Sequence, residues 1–135
     1  MKCLMILILG IFLLAGGCTG NLVDKPPSEP YFPVQTEIPS TYLLALLPGK
    51  LIMDKDGYLR ISEQNTLVLW PYGYSFKIEG QDVWIINDKG MKAVKVGDDI
   101  TLGGGFIPDN VVPMKIGHAL PEGCKGPFWL ANPLE

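Results

Sequence analysis

From residue 50 onward, short apolar-rich runs alternate with turns built on glycine and aspartate. Across 74–79, Tyr74, Phe76 and Ile78 fall on one face and Ser75, Lys77 and Glu79 on the other, the two-residue period of a strand. Leu59 and Ile61 separate from Tyr58 and Arg60 in the same way, and Val94 and Val96 from Lys95. The pattern predicts seven strands: 50–53, 58–61, 66–70, 74–78, 83–86, 91–96 and 100–102. Turn chemistry separates them at Asp54–Gly57, Ser62–Asn65, Pro71–Gly73, Glu79–Asp82, Asn87–Gly90, Gly97–Asp99 and Gly103–Gly105. Val83-Trp84-Ile85-Ile86 is apolar on both faces, which predicts a cover over its outer side, supplied by the C-terminal segment. Short strands at this spacing bury a face only by curling. The expected fold is all-β: a small antiparallel barrel or sandwich of about six to eight strands, with an irregular C-terminal segment packed over it that closes with a short apolar strand at Phe128-Trp129-Leu130.

Ahead of these runs the texture differs. Thr41–Leu47 is apolar and closes on Pro48-Gly49; periodicity leaves it open between a buried strand and a turn or two of helix. Residues 19–40 hold five prolines, so they suit neither helix nor central strand and are expected to form a semi-extended tether. Docking of Tyr31-Phe32 on the domain is the alternative. At the front, Lys2 precedes an uncharged run, Cys3–Ala15, of signal-peptide length and too short to span a bilayer as a helix. The stretch LLAGGC resembles the lipobox of bacterial lipoproteins, although its large aliphatic residue, Leu14, stands four rather than three before the cysteine. The resemblance implies cleavage after Gly17 and a diacylglycerol on Cys18. The expected organisation is a lipoprotein signal peptide over 1–17, a lipidated cysteine and tether over 18–40, and a β domain over 41–135. It implies a lipid-anchored protein on the extracytoplasmic side of a cell membrane or outer membrane.

Charge narrows the partners. After residue 17 there are ten basic and fourteen acidic side chains and no run of like charge, so nucleic acid is not an expected partner. Cys124 would be alone in the mature chain, leaving no internal disulfide, and with His118 as the single histidine no metal or other cofactor is expected.

Four further pieces, GKLIMDKDGYLRI, LVLWPYGYSFKI, VGDDITLGGG and LPEGCKGPFWLAN, occur in an order that resembles an uncharacterised family of small bacterial secreted or lipid-anchored β domains. The resemblance covers about residues 49–132 and implies fold and context, with no activity. Members often carry cysteine at the place of Tyr58. By that resemblance Tyr58 and Cys124 are expected to be neighbours in space.

The candidate chemistry is sparse. Cys124 and His118 would serve a small envelope hydrolase if imidazole and thiol met, and Asp98-Asp99 would serve one as an acidic pair, although neighbours on a strand point to opposite faces. Asp54-Lys55-Asp56-Gly57 starts like a calcium loop but has Asn65 where the twelfth-position glutamate belongs. Gly103–Gly105 is followed by neither a helix pattern nor a phosphate-binding lysine. Trp70, Tyr72, Trp84 and Trp129 are the candidates for a binding surface, with Tyr72 at a turn tip and Trp70 also wanted for the core. The expected function is a non-catalytic binding or structural β domain, its partner an envelope protein or glycan. A hydrolase is the alternative, and a third option is a subunit of an envelope complex with an apolar patch around Trp84 or Trp129.

Overall fold

The computed structural model describes residues 27–135; the expected signal peptide and Cys18 lie outside the described residues. Eight strands follow in order: β1 Ala45–Met53, β2 Leu59–Ile61, β3 Thr66–Leu69, β4 Ser75–Glu79, β5 Asp82–Ile86, β6 Lys92–Lys95, β7 Asp99–Ile107 and β8 Phe128–Ala131. A 3-10 turn, Glu63–Asn65, precedes β3, and a short helix, α1 (Val112–Ile116), precedes β8. The barrel closes in the order β1-β2-β3-β8-β7, and β4-β5-β6 form a separate three-stranded sheet inserted between β3 and β7. The all-β expectation holds.

Local chemistry accounts for the hairpins. Asp54 Oδ1 accepts hydrogen bonds from the backbone N–H groups of Asp56 and Tyr58, turning β1 into β2. Asn87 Oδ1 does the same for Lys89 and Met91 between β5 and β6. Each is a side chain imitating a backbone turn.

Two strands run through expected turns. β1 continues across Pro48-Gly49, because Pro48 pairs with Thr101 of β7 while pairing with β2 begins only at Leu51. A missing N–H is tolerated where one side of the strand is unpaired. β7 continues through Gly103–Gly105, which pair with both β1 and β8. The C-terminal segment is also more than a cover. β8 is a barrel strand, antiparallel to β7 but parallel to β3, with Leu67 opposite Phe128 and Leu69 opposite Leu130. The barrel is therefore not wholly antiparallel.

Both β3 and β8 are buried on both faces. Inside the barrel, Leu47, Leu51, Leu59, Ile61, Trp70 and Trp129 join Tyr74, just ahead of β4, and Ile85 and Val94 from the inserted sheet in one core. Outside it, Leu67, Leu69, Phe128 and Leu130 meet Val112 and Ile116 of α1. These two residues stand one helical turn apart and present one apolar edge. Pro113 in the first turn and Gly117 at the C-cap bound the helix.

The proline-rich segment departs from the tether reading and follows its alternative, the docking of Tyr31-Phe32 on the domain. From Pro30 to Thr36 the chain lies along the barrel as a strap. Tyr31 N–H donates to the Gly57 carbonyl, Trp70 N–H to Pro33, and Gln35 N–H to Trp70. Buried Gln35 donates through Nε2 to the carbonyls of Leu69 and Ala131 at 3.2 and 2.8 Å. Phe32 stacks on Trp70 with ring centroids 5.4 Å apart. The β domain thus begins at about residue 30 rather than 41.

Candidate functional site

Three constellations hold the candidate residues. The first gathers around Cys124, half-buried in the loop before β8. Tyr58 packs with Cys124 against the same apolar cluster, so the two are neighbours as the resemblance implied. Tyr31 meets Tyr58 edge-on at 5.6 Å and the His118 ring at 6.2 Å. Arg60, on β2, lies 5.6 Å from the Tyr58 ring centre. Burial pushes the Cys124 thiol above its ordinary value, outweighing Arg60 and the Tyr58 hydroxyl, which pull it down. Burial likewise pushes the Tyr31 phenol up to about 12, and its hydroxyl is enclosed without a hydrogen-bond partner.

This is poor equipment for a nucleophile. His118 is exposed and its Nδ1–H donates to the Ala119 carbonyl; among the described residues no hydrogen bond joins it to Cys124. A thiol hydrolase needs the thiolate at working pH and a base in contact with it. At pH 8, Cys124 is expected to react with an aromatic disulfide reagent more slowly than a free model thiol, with the midpoint of its pH–rate curve shifted upward. Tyr58→Phe removes a donor to the thiolate and is expected to slow it further. Peptide mapping of the labelled Cys124 checks both, and a rate above that of the model thiol would reinstate the hydrolase.

Arg60 escaped the sequence reading, which placed it with Tyr58 on the face away from Leu59 and Ile61. Its side chain is only 6% exposed. It donates to Asp54 Oδ2 at 3.0 Å and to the carbonyls of Asn65 and Lys125 at 2.9 and 3.0 Å. Burial opposes charge on Asp54, but the Tyr58 N–H, the Arg60 guanidinium and the Asp56 N–H outweigh it and hold the carboxyl below its usual range. Both Asp54 oxygens are thereby engaged within the protein, against a calcium-loop role. Among the described residues no three histidine, cysteine or acidic side chains converge as a metal set. Asp98 Oδ2 accepts the Lys95 N–H to close the β6–β7 turn, while Asp99 starts β7 and pairs with Lys50, so turn and strand roles account for both acids.

The second constellation is aromatic. Trp70 and Trp129 are fully enclosed, at 0% and 1% exposure, and form core rather than binding surface. Trp84 is half-buried on β5, covered by Lys92 and Lys95 from β6 at 4.7 and 5.6 Å from its ring centre. The cover over this strand comes from lysines, not from the C-terminal segment. Tyr72 is exposed at the tip of its turn and lines a small cavity of about 80 Å³.

The third is a groove that the strand pattern did not announce. Leu44 and Leu46, 91% and 71% exposed, stand on the outer wall of the barrel beside Tyr42. Opposite them lie Ala93 and Val94 of β6, and between run Thr101 and Gly103 of β7 and residues 132–135, enclosing an open groove of about 980 Å³. Tyr42 and Pro133 also line the Tyr72 cavity, so that aromatic borders the groove. The apolar run 41–47, left open between a buried strand and a turn or two of helix, is neither: it is exposed as far as Leu46, and only Leu47 is buried. No family model, curated protein or solved structure matches the chain.

Proposed function

We propose that this chain is a lipid-anchored protein of the bacterial cell envelope whose β domain binds a partner and carries out no catalysis. The observation that supports this best is the groove. Two leucines exposed side by side on a barrel wall cost solubility and contribute nothing to the core, which is the usual mark of a surface that meets something else. The half-buried thiol, whose burial disfavours the thiolate, and an imidazole with no hydrogen bond to it favour binding over the hydrolase alternative. The lipid anchor rests on the front of the sequence and its lipobox-like LLAGGC. With the strap beginning at Pro30, eleven residues separate it from Cys18, a reach of at most about 35–40 Å. The groove would therefore work close to the membrane, on an envelope protein or glycan.

Mass spectrometry of the mature chain is expected to find residue 18 as the N-terminus carrying a diacylglycerol; a free Cys18 thiol or an unprocessed N-terminus would remove the anchor from the proposal. The full chain, immobilised and exposed to envelope extract at low and high salt, is expected to retain a component that a Leu44→Ser/Leu46→Ser variant releases. Equal retention by the two proteins would count against the groove.

A further inference from the structure

We propose that the groove takes an extended, basic polypeptide segment with apolar side chains between its charges. The inference rests on the binding reading above and names the occupant. The charge of the lining is one-sided: its ionisable members are Asp98, Asp99 and Glu135, with no lysine, arginine or histidine among them. Lys50, on β1, stands opposite Asp99 across the strand pair, but among the described residues no ion pair joins the two. Lys92 and Lys95 lie over Trp84 on β5, and Lys92 also pairs with Glu79 at 2.6 Å. Among the described residues these acids thus have no ion-pair partner, and a cation brought in by a partner would complement them.

The apolar wall has the spacing of a strand. Leu44 and Leu46 are two residues apart, so their side chains repeat at about 7 Å, the repeat of alternate side chains in an extended peptide. Beside Leu46, its cross-strand partner on β7 is Gly103, over which the Asn132 side chain lies while donating to the Leu43 carbonyl. Farther along the same pair of strands Lys50 stands opposite Asp99, placing an acid beyond the apolar wall along the line of the groove. Apolar contacts and acids thus lie along one line, the order in which an alternating basic and apolar segment presents its side chains.

The test uses the full lipidated chain in discs of uncharged phosphatidylcholine, with empty discs as the blank. The probe is a fluorescent, end-capped Lys-Leu-Lys-Val-Lys peptide; its control carries glutamate in place of every lysine. Saturable binding of the lysine peptide is expected, weakened at least about tenfold by Leu44→Ser/Leu46→Ser. Asp99→Asn/Glu135→Gln is expected to weaken it and flatten its salt dependence. Met114→Ser, which removes an exposed apolar side chain on α1, is expected to leave it unchanged. Circular dichroism establishes that each variant is folded.

Equal binding by wild type and Leu44→Ser/Leu46→Ser, or equal binding of the glutamate peptide, would overturn the proposal. A dimer in sedimentation equilibrium that the leucine variant dissolves would overturn it in favour of a second copy, and cross-links from the groove to residues 19–26 in favour of the chain's own leader. If no peptide binds but capture from extract still depends on Leu44 and Leu46, the basic segment is wrong and the binding reading stands. Loss of that dependence as well would end both.

Discussion

Gly104→Ala is expected to cost at least about 3 kcal/mol, a large share of the roughly 5–15 kcal/mol that holds a domain of this size together. Gly104 sits where β7 pairs with Ala45 of β1 on one side and Ala131 of β8 on the other. Its φ of +142° is a conformation that side chains rarely adopt. A methyl group there would run into the Leu130 carbonyl and lie 2.8 Å from Trp129 Nε1. Neither neighbour can yield. The carbonyl belongs to a strand buried on both faces, and the indole N–H donates to Gly103 O at 3.2 Å within a closed core. Gly103→Ala is the control: its methyl would meet the Asn132 side chain at 3.2 Å, which a small shift relieves, and the expected cost is under about 1 kcal/mol. Thermal unfolding of the two variants compares them directly; similar losses would mean that the barrel does not close at Gly104 as described.

Arg60→Met is expected to destabilise the protein by about 3 kcal/mol, because three acceptors lose their donor at once. Asp54 would keep a partly enclosed carboxylate without its cation, and the carbonyls of Asn65 and Lys125 would lose their partners. Arg60→Lys should recover little, since one ammonium cannot span the three positions that the planar guanidinium reaches. The pair also sets an acid limit. Because the folded state holds the Asp54 carboxyl below its usual value, its contribution to stability is complete above the unfolded value near pH 4. That contribution is lost as pH falls through the folded value. Wild-type stability measured by denaturant titration should therefore fall below about pH 4, with a shallower fall in Arg60→Met. Parallel curves for the two proteins would refute this role for Asp54.

What could be read from the sequence follows the range of the interaction concerned. β2 to β6 were legible because alternation and turn chemistry act over a few residues; Asp54 and Asn87 announce their turns by their own side chains. The closure was not. Leu67 and Phe128 pair across sixty intervening residues, and no local pattern encodes a parallel β3–β8 contact. Pro48-Gly49 and Gly103–Gly105 looked like ends because proline and glycine usually are. Here each sits inside a strand whose far neighbour, rather than its own propensity, decides the conformation. Docking of the strap was legible only as an alternative, because its prolines argued for a tether; its bridges use the residues between them, Tyr31 to Tyr58 and Val34 to Trp70.

The site was less legible still. The neighbourhood of Tyr58 and Cys124 followed from a family resemblance, not from spacing. Arg60 looked solvent-facing because alternation gives the face of a strand and not what lies over it. Leu44 and Leu46 were not singled out, because composition cannot tell an apolar residue that is covered from one left open. Of the four aromatic candidates, two were claimed by the core, whose volume near the barrel closure needs rings as large as Trp70 and Trp129.

The most direct test of a binding domain working through the groove is photo-crosslinking in the intact cell. A benzoylphenylalanine at position 44 of the full chain would be compared with the same residue at position 114, exposed on α1 away from the groove. A discrete adduct from position 44 and none from position 114 is the predicted result. Identical adducts from both positions, or none from position 44, would contradict it.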